Sequence, residues 1–133
     1  MTTLNGLGPA AADIVKSWQL PGVKVNVVHQ LVPELIAPMG NVRRVLFIDA
    51  AIDLNGGPFA HHVLEPKKSG RAFGHHETPA NLLARLLELE GQAPNAWLLS
   101  IAAFSFGHGD AISDVARSHL KAALVWLRAF LTE

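Results

Sequence analysis

Histidine and aspartate are the residue types in this sequence best suited to hold a metal or move a proton, and their spacing narrows what they can do together. Seven histidines occur: His29, His61, His62, His75, His76, His108 and His119. His61-His62 and His75-His76 are adjacent pairs. Neighbours on an extended backbone point in opposite directions, so at most one of each pair readily faces a given metal. Two histidines four apart on a helix, a glycine-flanked nucleophilic serine and a phosphate-binding glycine-rich loop with its lysine are all missing from the sequence. There is no cysteine, which removes disulfides, thiolate metal sites and a cysteine nucleophile together. Any metal must be held by nitrogen and oxygen.

Asp49 closes the apolar run Arg44-Val45-Leu46-Phe47-Ile48. Ligands in open α/β sheets sit beyond the carboxyl ends of strands, which makes Asp49 the first residue to question. Its bland reading is a helix-capping or turn carboxylate; that of His76 is an ordinary surface or loop histidine. Asn5-Gly6-Leu7-Gly8-Pro9 leads into a helical segment, and its two glycines allow close backbone approach to a ligand. It lacks the full dinucleotide-binding spacing, so the competing reading is a turn that opens a helix. What would lift Asp49 and His76 above these readings is their meeting in space with a third oxygen or nitrogen donor, which spacing does not establish.

Strands and helices in alternation must position these residues. Pro9 to Trp18 predicts a first helix, with Pro in its first turn and Pro21-Gly22 closing it. Val23 to Val28 and Arg44 to Ile48 predict strands, the second apolar at successive positions as in a parallel sheet covered on both faces. A short proline-interrupted helix is expected over Val32 to Met39, an edge strand over His61 to Glu65 and a polar loop over Pro66 to Gly74. Thr78 offers an N-cap with Pro79 at the first helical position, and Leu82, Leu83, Leu86, Leu87 and Leu89 form an apolar stripe stopping near Gly91. Ala96 to Ala102 predicts another buried strand. Ser113 or Asp114 then caps a last helix with Val115, Leu120, Ala123, Leu124, Leu127 and Leu131 at helical spacing. This pattern gives a single α/β domain over residues 1–133, with a largely parallel sheet flanked by helices.

The chain is half hydrophobic and 17% charged, the composition of a folded domain rather than a disordered one. Eleven basic and eleven acidic residues cancel, so no electrostatic footprint for nucleic acid or an anionic membrane exists. No apolar stretch approaches the roughly 20 residues that span a bilayer, and the N-terminus has no basic segment followed by an apolar run. A cytoplasmic protein is expected.

Five segments in order carry a resemblance: Gly6-Leu7-Gly8-Pro9; His29-Gln30-Leu31-Val32-Pro33-Glu34-Leu35; Val45-Leu46-Phe47-Ile48-Asp49-Ala50-Ala51; His75-His76-Glu77-Thr78-Pro79 with Leu82-Leu83; and Phe106-Gly107-His108-Gly109-Asp110-Ala111-Ile112-Ser113. With Gly91-Gln92-Ala93-Pro94 before the last strand, they resemble the hydrogenase maturation endopeptidases over nearly the whole chain. The resemblance implies a three-layer α/β domain, phosphorylase/hydrolase-like. It also implies an activity that removes the C-terminal extension from the nickel-iron hydrogenase large-subunit precursor once nickel is installed. Nickel, carried by the substrate, serves as the recognition signal, with zinc or cadmium as substitutes. In the family a carboxylate in the N-terminal glycine-rich motif, an aspartate ending the central strand and a histidine before the next helix bind the metal. Asp49 matches the second and His76 the third, with His75 as the fallback; Gly6 and Gly8 belong to the substrate-binding motif. No residue is assigned as nucleophile.

The departure lies at the beginning. The family opens with an apolar strand and paired acidic residues; here that first strand is expected to be missing, and the acidic position falls on Asn5. Asn offers a carbonyl oxygen but no negative charge, which lowers affinity for a divalent cation. Asp53 and Asp110 are candidate substitutes. A missing inner strand would leave an unpaired edge, and a homodimer through that edge is the expectation drawn from it. The competing readings are a catalytically impaired homologue that acts as a precursor-binding, chaperone-like protein and, third, a histidine-mediated metal store.

Overall fold

A computed structural model of the chain describes residues 2–4, 8–27, 42–51, 57–68, 78–102 and 114–132. Its elements are β1 (Thr2–Leu4), α1 (Gly8–Ser17), β2 (Val25–Val27), β3 (Arg44–Ala51), β4 (Phe59–Leu64), α2 (Pro79–Glu90), β5 (Asn95–Ala102) and α3 (Asp114–Thr132). The strands form one sheet in the order β2-β1-β3-β5-β4. All neighbours are parallel except β4, which runs antiparallel to β5 along one edge.

Alternation along β3 sorts its side chains between two cores, as a strand covered on both faces requires. Leu46 and Ile48 pack with Leu99 and Ile101 of β5 against Ala11, Ala12 and Val15 of α1 and Leu120, Ala123 and Leu127 of α3. Val45 and Phe47 pack with Ala96 against Leu82, Leu83 and Leu86 of α2 on the opposite face. The result is the three-layer α/β arrangement the sequence predicts, with α1 and α3 on one side and α2 on the other.

The helices begin and end for local chemical reasons. The Thr78 hydroxyl oxygen accepts a hydrogen bond from the Asn81 amide at 3.1 Å, and Pro79, which has no amide hydrogen to leave unpaired, starts α2. Gly91 ends it in the left-handed region at φ 77°, donating its amide to Leu87 O at 2.9 Å. In α1 the Ser17 hydroxyl turns back to Ile14 O at 2.6 Å, and Gln19 at φ 50° and Gly22 at φ 78° carry the chain round to β2.

Three expectations are corrected. The first strand is present: β1 spans only three residues but lies inside the sheet, with Thr2–Leu4 registered against Val25–Val27 and against Leu46–Ile48. Its hydrogen bonds to two neighbouring strands hold it, whereas Thr2-Thr3-Leu4 is too short for hydrophobic periodicity to reveal. The homodimer proposed through a missing-strand edge loses its premise, because β1 fills the place between β2 and β3. In α2, Leu87 is 42% and Leu89 71% exposed, since both stand on the flanks of the narrower stripe made by Leu82, Leu83 and Leu86. The helix expected over 32–39 and most of the loop expected over 66–74 lie outside the described residues.

Candidate metal and peptide site

Asp49 lies near the carboxyl end of β3, the central strand of the sheet, with Ala50 and Ala51 completing the strand after it. It is exposed, whereas Val45, Leu46, Phe47 and Ile48 before it are buried. The run Val45 to Ile48 lies between the helix layers, and Asp49 follows it on the strand. By the same alternation Asp49 shares a face with Val45 and Phe47, which is the face that α2 covers. The chain enters α2 through Thr78, immediately after the sequence His75-His76-Glu77. The C-terminal end of α2 connects through Gln92, Ala93 and Pro94 to the amino end of β5, and its N-terminal end lies about 18 Å of helix away.

Two further observations define this end of the sheet. Leu4, the last described residue of β1, pairs with Ile48, the residue before Asp49. On the other side, Asp49 is in register with Ser100 of β5. Ser100 is half-buried and is flanked by Leu98, Leu99, Ile101 and Ala102. A carboxylate and a hydroxyl are thus neighbours on adjacent parallel strands, at a strand spacing of about 4.8 Å. The sequence marks Ser100 only as a polar interruption of an apolar run; its partnership with Asp49 depends on strand register.

Asn5, Gly6, His75 and His76 lie outside the described residues, as do His29, Asp53, His108 and Asp110; Gly8 is the first residue of α1. The remaining histidines have separate settings. His61 stacks on Trp126 of α3, with ring centroids 4.4 Å apart and planes 21° apart, in an aromatic cluster with Phe59 and Phe130. Its neighbour His62 is exposed and by alternation faces the other side of β4, as expected of an adjacent pair on a strand. His119, half-buried on α3, has its Nδ1 2.8 Å from the carbonyl oxygen of Ala102 at the end of β5. The sequence does not indicate this contact, because it depends on how α3 crosses the sheet. Among the described residues, no three histidine, aspartate or glutamate side chains converge on one metal position.

Two surface grooves lie on the α1 and α3 side and contain neither carboxylate nor histidine. One is lined by Val15, Lys16, Gln19, Leu20, Val23 and Val25, and the other by Trp18, Leu124, Val125, Arg128, Ala129 and Thr132. Neither includes Asp49. The chemistry available at Asp49 is that of an exposed carboxylate, an oxygen donor suited to a divalent cation or to the polar groups of a peptide.

No protein-family model and no curated protein matches the sequence. Solved structures do. The nickel-iron hydrogenase maturation protease HybD from Thermococcus kodakarensis superposes with a TM-score of 0.69 at 17% identity, over 98% of this chain and 97% of that one. The maturation protease HycI from Thermococcus kodakarensis KOD1 gives 0.64 at 16% identity, over 99% and 92%. The maturating endopeptidase HybD from E. coli gives 0.62 at 18%, over 99% and 93%. These similarities extend from end to end, and the fold of this chain is that of the hydrogenase maturation endopeptidases.

Proposed function

We propose that this protein is a member of the hydrogenase maturation endopeptidases that recognises nickel in the hydrogenase large-subunit precursor and removes the precursor's C-terminal extension. The observation that carries this reading is Asp49: an exposed carboxylate at the carboxyl end of the central strand, on the sheet face covered by the helix that follows His75-His76. The end-to-end fold likeness to proteins named as maturation proteases supports the same reading. The donor set fits the metal, since a carboxylate, an imidazole from His76 (or His75) and the side-chain carbonyl of Asn5 are oxygen and nitrogen ligands suited to nickel, and to zinc or cadmium as substitutes.

Nickel enters as part of the substrate and polarises groups close to it. Asp49 supplies the negative charge that holds the cation, His76 supplies a neutral nitrogen, and Gly6 and Gly8 let the backbone approach the precursor. Hydrolysis adds one water across the scissile amide: the carbonyl carbon gains oxygen, the C–N bond breaks and the new amine takes a proton. The sequence assigns no nucleophile among the chain's own residues.

The test is nickel titration by calorimetry with the chain, Asp49→Ala, His76→Ala and Asn5→Asp, followed by precursor cleavage followed by mass spectrometry. Either alanine variant is expected to weaken nickel binding about tenfold or more. Unchanged affinity in both would remove the assigned site. A second reading is favoured by Asn5, which stands where the family has a carboxylate: a precursor-binding protein that does not cut. Capture of intact precursor, with no shortening over time, would select it over the endopeptidase.

A further inference from the structure

The Ala102 peptide group is where three elements meet. It is the last residue of β5, 6% exposed, and pairs with Ala51 at the end of β3. Its amide donates to Pro58 O at 2.9 Å, next to the start of β4. Its carbonyl oxygen lies 2.8 Å from His119 Nδ1 on α3, 17 residues further along the chain. A carbonyl oxygen only accepts, so His119 Nδ1 must carry a proton and donate. The neutral ring is then the tautomer with hydrogen on Nδ1, the less common form in solution, and the charged ring donates equally well. Leaving a nearly buried carbonyl without a donor costs more than the bond itself contributes.

We propose that His119 is a positioning residue that fixes the carboxyl end of β5, and through the β3–β5 register the rung that carries Ser100 and Asp49. The Ala102–Ala51 pair lies two residues beyond the Ser100–Asp49 pair, so loosening the strand end at Ala102 acts on the next rung of the same side-chain face. The importance of that rung for function rests on the assignment of Asp49 as a metal ligand; the clamp itself does not.

Side-chain amides test it. In Asn the amide nitrogen falls near the place of imidazole Nδ1, whereas in Gln it falls near Nε2. His119→Asn therefore keeps the donor, while His119→Gln and His119→Leu lose it. In the metal-free chain, long-range nitrogen–proton NMR is expected to show Nδ1 protonated in the neutral ring. Exchange of the Ala102 amide should accelerate about tenfold in the Gln and Leu variants, the equivalent of one net hydrogen bond, and remain near wild type in Asn. The Asp49 carboxyl carbon resonance should shift in Gln and Leu and stay in place in Asn. A neutral ring protonated on Nε2 and not on Nδ1, equal behaviour of Asn and Gln, or an Asp49 resonance that ignores a loosened Ala102 would each overturn the proposal. If the Leu variant does not fold, the Asn and Gln pair carries the comparison. Nickel titration of the same variants then reports on function: a wild-type chain that binds no nickel removes the metal-site reading and leaves the clamp judged on its metal-free results.

Discussion

At the residue scale, the proposed nickel site turns on a single charge. Asp49 is exposed, directly after the buried apolar run Val45 to Ile48, a setting in which a carboxylate stays accessible to a cation. Asn5 offers an oxygen of similar reach but no charge. Two unit charges about 4 Å apart near a protein surface interact by roughly 1–4 kcal/mol, so Asn5→Asp is expected to raise nickel affinity by about tenfold or more in calorimetry. An unchanged affinity would mean that residue 5 does not face the cation. The position of Asp49 near the end of a buried strand was legible because an apolar run closed by a carboxylate has a place in α/β sheets independent of tertiary detail. Ser100 and His119 were not legible in this sense. The role of Ser100 depends on β3 and β5 pairing Asp49 with Ser100 rather than a neighbouring position, and that of His119 on which turn of α3 passes over Ala102.

At the element scale, the sequence was clearest where local chemistry alone determines the outcome. Thr78, Pro79 and Gly91 set both ends of α2, and the apolar runs from Val45 and Ala96 became β3 and β5. The β1 strand escaped notice because three residues show no period, and only hydrogen bonds to β2 and β3 make them a strand. The ends of α2 allow a paired prediction. Thr78→Ala removes the acceptor for the Asn81 amide and is expected to lower stability by about 1 kcal/mol, measured by urea denaturation. Gly91→Ala is expected to cost about 1 kcal/mol or slightly more, for a different reason. A Cβ at Gly91 meets nothing within 4 Å, so the loss would come from the left-handed backbone at φ 77° and not from a clash. Gly91→Asn, which tolerates that conformation better, should recover part of the loss; equal losses for Ala and Asn would mean that backbone conformation does not control this helix end.

At the scale of the whole molecule, one sheet separates two apolar layers, and Asp49 stands near the carboxyl end of its central strand. Leu86 of α2 and Leu127 of α3 are each 1% exposed, on opposite faces. Truncating either to alanine is expected to cost about 2–5 kcal/mol, since each leaves a cavity among close-packed neighbours. The two layers share β3, with Val45 and Phe47 on the α2 side and Leu46 and Ile48 on the other, and among the described residues no side chain belongs to both. Packed layers lie about 10 Å from a sheet, which places the two leucines beyond the range at which cavities usually couple. The double variant should therefore lose the sum of the single losses to within about 0.5 kcal/mol in denaturant titrations, provided that it still folds; Leu86→Val with Leu127→Val keeps the test within range if it does not. A coupling well above that value would show that β3 transmits distortion from one face to the other. The strand bearing Asp49 would then respond to packing on both faces, and the helices would help determine where the carboxylate stands as well as hold the sheet together.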